Sequence, residues 1–316
     1  MALNPKCSIE CVYDIDSSAA NKIAGLYDGT VALSPEEAIS NPNVDIVYIC
    51  TSSTQTHTEY ILSAAKAEKA IFCEKPIDLD INRVNECKKE LEKYNVPIHI
   101  GFNRRFDPSH LSTNERKNKG EIGKLEQIII TSRDPSGPSA AYLKVSGGMF
   151  RDMTIHDFDL ACFILQNDPI VEIYATGERL FSAEAQEAND IDTAMIIMKS
   201  ESGVLCHINN SRHASYGYDQ RVELFGNKGM LISDNQTSTS VTKYNNESTN
   251  SKDPILNFFI ERYEVAYKNQ LENFANCIIN KKPPTVNFEN GRIALIIANA
   301  AYESLETKKL VKINYS

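Results

Sequence analysis

Three side chains in this 316-residue sequence have the types needed to move a proton at a carbon-bound oxygen. Lys75 stands at the end of a strand whose apolar run is residues 70–73, and Asp152 and His156 lie four positions apart in a later segment. Residues with this spacing are neighbours on one face of a helix, so we expect the Asp152 carboxylate to hold the His156 imidazole. Such a histidine suits a general base near neutral pH, and a lysine can hydrogen-bond an oxygen that gains negative charge. The combination indicates an enzyme.

The spacing of Asp152 and His156 has a second explanation, an ion pair on the surface of a helix. For an isolated pair we would favour that explanation. Gly147 and Gly148 stand just before this helix, however, and two glycines at a helix entrance suggest backbone that comes close to a ligand. Asp159 lies one further turn along the same face. The local pattern therefore favours a site.

The elements that must position these residues differ between the two parts of the chain. In the first hundred residues, short apolar runs alternate with helical patterns, which implies right-handed crossovers and a parallel α/β sheet. Strands are predicted at residues 9–13, 44–50, 70–74 and 97–102, and helices at 17–26, from 34, at 56–69 and at 80–94. Lys75 therefore closes a strand of this sheet.

After Gly101 the pattern changes to strands with little helix between the later ones. Strands are predicted at 124–132, 171–180, 194–199, 204–210 and 221–225, turns at 201–203 and 226–229, and helices at about 152–166, 257–280 and 289–308. The pattern predicts an α+β domain with a mostly antiparallel sheet. Residues 235–254 are polar and predict a loop or a locally disordered insertion. We expect two domains, 1–102 and 103–316.

In a parallel α/β sheet, ligands bind outside the carboxyl ends of the strands. Asp14 stands at the end of the first predicted strand, where a carboxylate can accept hydrogen bonds from a ribose diol and repel a 2′-phosphate. Residues 51–54 follow the next buried strand, and Lys75 follows the one after, with a bond to Pro76 that is a candidate for the cis form. Each feature alone also fits a helix cap, a solvated turn or a surface lysine, but their coincidence at successive strand ends favours a nucleotide site.

Composition excludes several other classes of function. The net charge of -9 and the pI near 5.3 argue against nucleic-acid binding. No apolar run reaches the roughly 18 residues of a membrane span, and the first residues have no signal-peptide core, so we expect a cytoplasmic protein. The 8 cysteines form no metal-ligand pattern, and Cys50 and Cys73 fall in apolar runs typical of small core residues. No metal site is expected.

Four segments in order resemble the Gfo/Idh/MocA oxidoreductases. They are residues 74–76 (Glu-Lys-Pro), 101–107 (Gly-Phe-Asn-Arg-Arg-Phe-Asp), 147–159 and 216–221 (Tyr-Gly-Tyr-Asp-Gln-Arg). Within the family, the last two segments, together with residues 131–135 (Thr-Ser-Arg-Asp-Pro), are most similar to the inositol dehydrogenases. The resemblance covers nearly the whole chain.

The resemblance implies a Rossmann-type NAD-binding domain followed by an α+β domain whose open sheet forms a homodimer or homotetramer interface. It also implies oxidation of a secondary hydroxyl of a cyclic polyol or sugar, best matched by myo-inositol, with hydride transfer to NAD and less readily to NADP. The matching catalytic positions are Lys75, Asp152 and His156. The matching cofactor positions are Asp14, Thr51, Ser52, His57, Glu74 and Lys75, and the matching substrate positions are Arg104, Arg133 and Tyr218.

One departure from the family pattern concerns the Gly-x-Gly-x-x-Gly turn that normally precedes the ribose-binding acid by about 20 residues. Only thirteen residues stand before Asp14, and they contain no glycine. The first strand, its turn and its helix are therefore missing from the pattern, and the neighbouring strands must close the gap or stay unpaired. A downstream start site, a shortened isoform and a non-catalytic NAD(P)- or sugar-binding regulatory protein are the alternatives. The intact Lys75, Asp152 and His156 favour the enzyme.

Overall fold

The computed structural model describes residues 4–51 and 54–316, and the chain divides into two compact units. The first unit comprises Met1–Phe102 and Tyr267–Leu295, and the second comprises Asn103–Ala266 and Ile296–Ser316. The division falls where the sequence places the domain boundary, after Phe102. It also assigns to the first unit residues 267–295, which we expected in the second domain.

The first unit contains the expected alternation of strands and helices. Its strands are β1 (Cys11–Val12), β2 (Thr30–Val31), β3 (Ile46–Ile49), β4 (Ala70–Cys73) and β5 (Ile98–Ile100), and its helices are α1 (Ser17–Leu26), α2 (Pro35–Ser40), α3 (His57–Lys66) and α4 (Ile81–Leu91). All its strand pairs are parallel among the described residues. The parallel α/β prediction is confirmed.

The strands of the first unit form two separate sheets. β1 pairs with β2 in one sheet, and β3, β4 and β5 form the other. This break lies between β1 and β3, where the expected strand order places the strand of the glycine turn. Of the two outcomes expected for the gap, closure or persistence, the structure shows persistence.

Local sequence signals explain several boundaries in this unit. Asp16 caps α1 by accepting a hydrogen bond from the Ser18 N–H at 2.8 Å. Ser34 accepts from the Glu37 N–H at 3.1 Å, with Pro35 as the first residue of α2. The two caps set the starts of α1 and α2 within one residue of the predicted positions 17 and 34, and the predicted candidate for a cis bond, Lys75–Pro76, is cis.

The second unit is built on a sheet with mixed pairing. Its strands are β6 (Leu125–Arg133), β7 (Ile170–Glu178), β8 (Thr193–Ser200), β9 (Leu205–Ser211), β10 (Asp219–Gly226), β11 (Gly229–Ser233), β12 (Thr242–Lys243), β13 (Ser251–Lys252) and β14 (Val311–Lys312). Its helices are α5 (Pro108–Asn118), α6 (Ala140–Ser146), α7 (Ile155–Leu165) and α8 (Ala183–Glu187). Within the described part of the chain, seven strands form the main sheet in the order β11-β10-β6-β9-β8-β7-β14. Only β6 and β9 pair in parallel there, so the mostly antiparallel prediction is confirmed.

One face of this sheet carries the core of the unit and the other face is open. Along β8, Ala194, Ile196 and Met198 are buried, whereas Met195 and Ile197 are 52% and 56% exposed. This alternation is the period of two expected of a strand with one covered face. The covered face therefore supplies the core, and the open face is available for other contacts.

Two long helices complete the fold, α9 (Phe259–Ile279) and α10 (Phe288–Thr307). In the first unit, the Phe274 ring of α9 packs edge-on against Phe72 of β4, with centroids 6.0 Å apart. Gly291 of α10 approaches Ile77 so closely that a Cβ would lie 2.6 Å from its side chain. These contacts bury apolar surface of the sheet, which explains why residues 267–295 belong to the first unit.

Residues 235–254 are mostly loop, as predicted, but they also contain a short hairpin. Thr242–Lys243 and Ser251–Lys252 pair as an antiparallel hairpin, and a bridge joins Thr237 to Ile255. Polar composition gave no signal for this hairpin, because its backbone hydrogen bonds do not depend on buried apolar side chains.

The cysteines are all free. Cys73 is fully buried, as expected of a small core residue, but Cys50 is exposed, so its prediction as a core residue is wrong. Cys50 lies just beyond β3, where the chain has already left the sheet. None of the described helices has the length and apolar character needed to cross a membrane.

His110 gives the second unit a dependence of stability on pH. Burial lowers its pKa to about 3, although the neighbouring Asp107 raises it. Because the folded-state pKa lies below the usual 6.5, stability is fully present above about pH 6.5 and is lost as the pH falls towards 3.

We expect the stability difference between the wild type and His110→Gln to shrink by about 2 kcal/mol from pH 7 to pH 5, at most about 1.4 kcal/mol per pH unit. Urea unfolding at both pH values measures it. His213→Gln, at an exposed histidine, is the control and should leave the pH dependence as in the wild type. A constant difference for His110→Gln would contradict a buried neutral imidazole.

Candidate active site

The carboxyl ends of β1, β3 and β4 gather the predicted cofactor residues of the first unit. Asp14 follows β1 and is exposed, with its Oδ1 accepting the Asp16 N–H at 2.8 Å. Burial of its thiol raises the pKa of Cys50, although the residue as a whole is exposed, and the carboxylates of Glu74 and Asp14 raise it further. Cys50 therefore lies near both Glu74, which follows β4, and Asp14, which follows β1.

His57 joins the turns that follow β3 and β4. Its Nδ1 lies 2.8 Å from the Pro76 carbonyl oxygen, and its Nε2 lies 3.0 Å from the Thr51 carbonyl oxygen. The Thr51 and Thr56 hydroxyls also lie within 2.9 Å of each other. The predicted position Ser52 lies outside the described residues. His57 thus fixes the backbone that presents Thr51 and the cis Lys75–Pro76 turn.

Glu74 is held rigidly beside Lys75. Burial raises the pKa of the Glu74 carboxyl, although the Tyr48 hydroxyl, which donates to its Oε1 at 2.9 Å, and Lys75 both lower it. A Cβ at Gly101 would lie 2.4 Å from Glu74 Oε2, so this position needs a glycine. The close approach explains why a glycine opens the segment that starts at residue 101.

These residues fit part of a dinucleotide. An exposed carboxylate beyond β1 suits a ribose diol, and the turns after β3 and β4 offer hydroxyl, carboxyl and ammonium groups. These groups lie at the carboxyl ends of strands that belong to two separate sheets.

In the second unit, Asp152 and His156 do not lie on one regular helix. Asp152 lies in a π-helical turn, Met149–Met153, and His156 lies in the first turn of α7, which begins at Ile155. The prediction of a single α-helix at 152–166 is therefore wrong at its start. A π turn holds one more residue than an α turn and is often found at functional sites.

Gly147 and Gly148 bend the chain into this π turn. Both have a left-handed φ, +88° and +76°. A Cβ at Gly148 would lie 2.3 Å from Tyr302 Oη and 2.7 Å from Asp190 Oδ1. Gly148 therefore makes a close approach to Tyr302 and Asp190 that a side chain would prevent.

Both carboxylate oxygens of Asp152 accept hydrogen bonds. The Tyr142 hydroxyl donates to Oδ1 at 2.9 Å, and Arg212 Nη2 donates to Oδ2 at 3.1 Å. Arg212 Nη1 also lies 3.7 Å from Asp134 Oδ2. Asp134 directly follows β6 and Arg212 directly follows β9, so the cluster stands at the carboxyl ends of the two parallel strands of the sheet. Asp152 is thus oriented from two sides.

Asp134 has an altered acidity in this cluster. Burial raises its pKa to about 6, although the guanidinium groups of Arg212 and Arg104 lower it. Asp134 therefore changes charge in the range in which a histidine normally titrates.

The predicted substrate residue Arg104 is almost fully buried. Its Nη1 donates to Ser132 Oγ at 2.9 Å and to Asp157 Oδ1. Asn210 Nδ2 donates to the other Asp157 oxygen at 2.8 Å, which ties α7 to the covered face of the sheet. Arg105 donates hydrogen bonds to both carboxylate oxygens of Asp159. Asp159 is therefore held in an ion pair with Arg105.

The other two predicted substrate residues, Tyr218 and Arg133, lie apart from each other, one in the interior and one on the open face of the sheet. Tyr218 is buried, and charge interactions place it near Arg104 and Asp134. Arg133 follows Ser132 in β6 and so points to the open face, where its Nη2 donates to Asn209 Oδ1 at 3.2 Å. The structure brings Arg104 and Tyr218 together with the Asp152 cluster and does not bring Arg133 with them.

Sequence reasoning missed Asp134, Tyr142 and Arg212. Asp134 and Arg212 each come right after a predicted strand, which is a signal for a site only if those strands are parallel. The parallel pairing of β6 with β9 was not expected, because the unit was predicted to be mostly antiparallel. Among the described residues, no group of three or more His, Cys, Asp or Glu side chains can hold a metal ion.

Comparison with known proteins places both parts of the chain. Residues 1–102 match the model described as "Oxidoreductase family, NAD-binding Rossmann fold", and residues 111–232 match the GFO/IDH/MocA C-terminal domain. A myo-inositol 2-dehydrogenase of Thermotoga maritima is 44% identical over 88% of this chain and 83% of its own length.

Solved structures agree with these matches. A myo-inositol dehydrogenase from Corynebacterium glutamicum superposes with a TM-score of 0.94 at 44% identity, over 99% of this chain and 93% of that one. A scyllo-inositol dehydrogenase from Lactobacillus casei with bound NAD(H) and scyllo-inositol superposes with a TM-score of 0.86 at 27% identity, over 98% and 94% of the two chains. The chain belongs to the Gfo/Idh/MocA family of oxidoreductases.

Proposed function

We propose that this protein is an NAD-dependent dehydrogenase that oxidises one secondary hydroxyl of a cyclic polyol, with myo-inositol as its substrate and 2-keto-myo-inositol as its product. The observation that carries the proposal is the Asp152 carboxylate, which is held from two sides next to the α7 turn that bears His156. The similarity to inositol dehydrogenases at 44% identity supports the choice of substrate.

We assign the chemical steps to three residues of the two units. His156 takes the proton of the reacting hydroxyl, because an imidazole is suited to that transfer near neutral pH. Asp152 orients His156 and the substrate, and Lys75 donates a hydrogen bond to the oxygen as it gains negative charge. NAD, when bound, accepts the hydride from the same carbon.

The cofactor is held by residues of the first unit. Asp14 binds the ribose diol and disfavours a 2′-phosphate, so NAD is preferred to NADP. Thr51 and Ser52 contact the dinucleotide, and His57 fixes the backbone at Thr51 through the Thr51 carbonyl oxygen. Glu74 and Lys75 approach it from the turn after β4.

The substrate meets residues of the second unit. Arg104 and Tyr218 lie near Asp134 and are proposed to surround the polyol together with Asp152. Arg133 is left out of this proposal, because its guanidinium serves Asn209 and Tyr216 on the open face. Discrimination between inositol isomers then depends on which hydroxyls these groups can pair.

An assay of NADH formation tests the function. The purified 316-residue protein is incubated with NAD and myo-inositol, and then with scyllo-inositol, glucose, or NADP in place of NAD. We expect NADH with myo-inositol and NAD, and a much slower reaction with NADP. Binding of NAD or a polyol by calorimetry without any turnover would favour the non-catalytic regulatory protein.

The open face of the second unit supports assembly into a homodimer or homotetramer. One row of cross-strand neighbours runs over six strands of the sheet and contains both apolar and polar residues. Its members are Tyr174, Ile197, His207, Ile129, Glu223 and Ile232. A second copy of the same face would bury these apolar side chains against each other, as an isologous interface does.

We expect Ile197→Asp to convert the oligomer to a smaller species, because it buries a charge at the centre of that row. Light scattering after size-exclusion chromatography measures the mass. Leu33→Asp is the control, since Leu33 is 88% exposed in the first unit and lies outside the row. An unchanged mass for both variants would contradict the use of this face.

We propose a cytoplasmic location. The free cysteines support it, because such thiols persist in a reducing compartment.

A further inference from the structure

Arg212 occupies a position between two carboxylates at the carboxyl ends of β6 and β9. Its side chain is 4% exposed, with Nη2 3.1 Å from Asp152 Oδ2 and Nη1 3.7 Å from Asp134 Oδ2. Its Nε has no hydrogen-bond partner in residues 4–51 and 54–316. The guanidinium therefore interacts with the two carboxylates through Nη1 and Nη2, whereas its Nε–H makes no hydrogen bond with the described residues.

The charges of the cluster show what Arg212 does for Asp152. Two carboxylates that share a site repel each other, and one of them then takes up a proton at a higher pH than usual. A cation between them removes most of that repulsion, and a hydrogen bond from it favours the ionised form of its acceptor. Asp152 receives the shorter contact of the two.

Burial and the neighbouring charges act in opposite directions on the pKa of Arg212, and the charges dominate. Burial alone would lower the pKa of Arg212, but Asp152 and Asp134 raise it above its usual value, so the guanidinium keeps its charge. Because it follows β9 directly, its backbone is fixed by the sheet. The Tyr142 hydroxyl donates to the other oxygen of Asp152. Arg212 therefore favours the ionised form of the carboxylate, and the two hydrogen bonds together fix its orientation.

We propose that Arg212 is a positioning residue for the oxidation: it keeps Asp152 ionised and in one orientation, so that Asp152 can in turn orient His156 and the substrate. This inference rests on the proposed function for its effect on turnover. Its effect on the Asp152 carboxyl does not depend on any reaction. Arg212 acts through Asp152 and is not itself a catalytic residue.

A buried ion pair can also be purely structural, and the chain offers a matched example. Arg105 is 7% exposed and pairs with Asp159, which is 1% exposed, in the same unit. Removing either arginine leaves a buried carboxylate without its cation, so both variants should lower stability to a similar degree. Only the loss of Arg212 should change the titration of Asp152.

The test is the titration of Asp152 followed by NMR of protein labelled with 13C at the aspartate carboxyl carbons. The Asp152→Asn spectrum identifies the resonance. We expect Arg212→Met to raise the proton affinity of Asp152 at least tenfold, a shift of one pH unit or more, whereas Arg212→Lys and Arg105→Met leave it near the wild-type value. Should Arg212→Met not fold, Arg212→Gln removes the charge while keeping a donor.

Kinetics with NAD and myo-inositol form the second arm. We expect Arg212→Met to lower kcat about 10²-fold with a smaller change in KM, and Arg212→Lys to recover part of the loss. If Asp152 titrates alike in the wild type and in Arg212→Met, the proposal is overturned. If the wild type oxidises no polyol, the proposed function fails, while the NMR shift still decides the role of Arg212.

Discussion

Replacing His156 by alanine should lower kcat for polyol oxidation by about 10²- to 10⁴-fold, the range that a general base contributes. The affinity for NAD should stay within about twofold of the wild type, because the proposed cofactor residues all belong to the first unit. Steady-state kinetics and calorimetric titration with NAD measure the two quantities. An added small base such as imidazole is expected to restore part of the rate.

The control for His156 is His213→Ala, at an exposed histidine whose ring lies tilted against Phe181, with centroids 4.9 Å apart. It should keep turnover near the wild-type level. Equal losses of turnover and of NAD affinity in His156→Ala would reject the assignment of a base, since a general disturbance of the fold would then explain both.

The second large effect is expected at Gly148, on stability. Its φ of +76° and ψ of -171° lie in a region that is open almost only to glycine. An added Cβ would also meet Tyr302 Oη at 2.3 Å. We expect Gly148→Ala to cost about 3 kcal/mol or more of the free energy of unfolding, and to lower kcat of the folded fraction by displacing the π turn that carries Asp152.

Gly120→Ala separates strain from crowding. Gly120 has a similar φ of +80°, but a Cβ there would meet nothing within 4 Å, so the cost should be only about 1 kcal/mol. Adding Tyr302→Phe to Gly148→Ala removes the oxygen that the methyl group meets and should recover part of the stability. Equal costs at Gly148 and Gly120 in urea unfolding would show that the contact with Tyr302 is unimportant.

The parts that sequence could predict are those with a local cause. The strand before Lys75 is an unbroken apolar run, the caps at Asp16 and Ser34 are set within three residues, and a proline after Lys75 made the cis bond a candidate. For the same reason the parallel order of β3, β4 and β5 follows from the alternation of strands with helices.

The parts that sequence could not predict depend on distant residues. The π turn around Asp152 follows a glycine whose constraint is Tyr302, far along the chain. The role of Arg212 depends on the parallel pairing of β6 with β9, which are separated by two other strands in sequence. Likewise, the end of α9 belongs to the first unit because Phe274 packs on Phe72. These two residues are about 200 positions apart, so no local sequence pattern predicts their contact.

The central claim is that a hydride leaves a ring carbon of the polyol for NAD in a site served by Lys75, Asp152 and His156. Myo-inositol with deuterium at the carbon to be oxidised tests it directly, with the reduced cofactor examined by mass spectrometry and proton NMR. We expect deuterium on the nicotinamide ring of the NADH formed, and labelled NADH to form about 10²- to 10⁴-fold more slowly with His156→Ala. Binding of both NAD and myo-inositol without labelled NADH would contradict it.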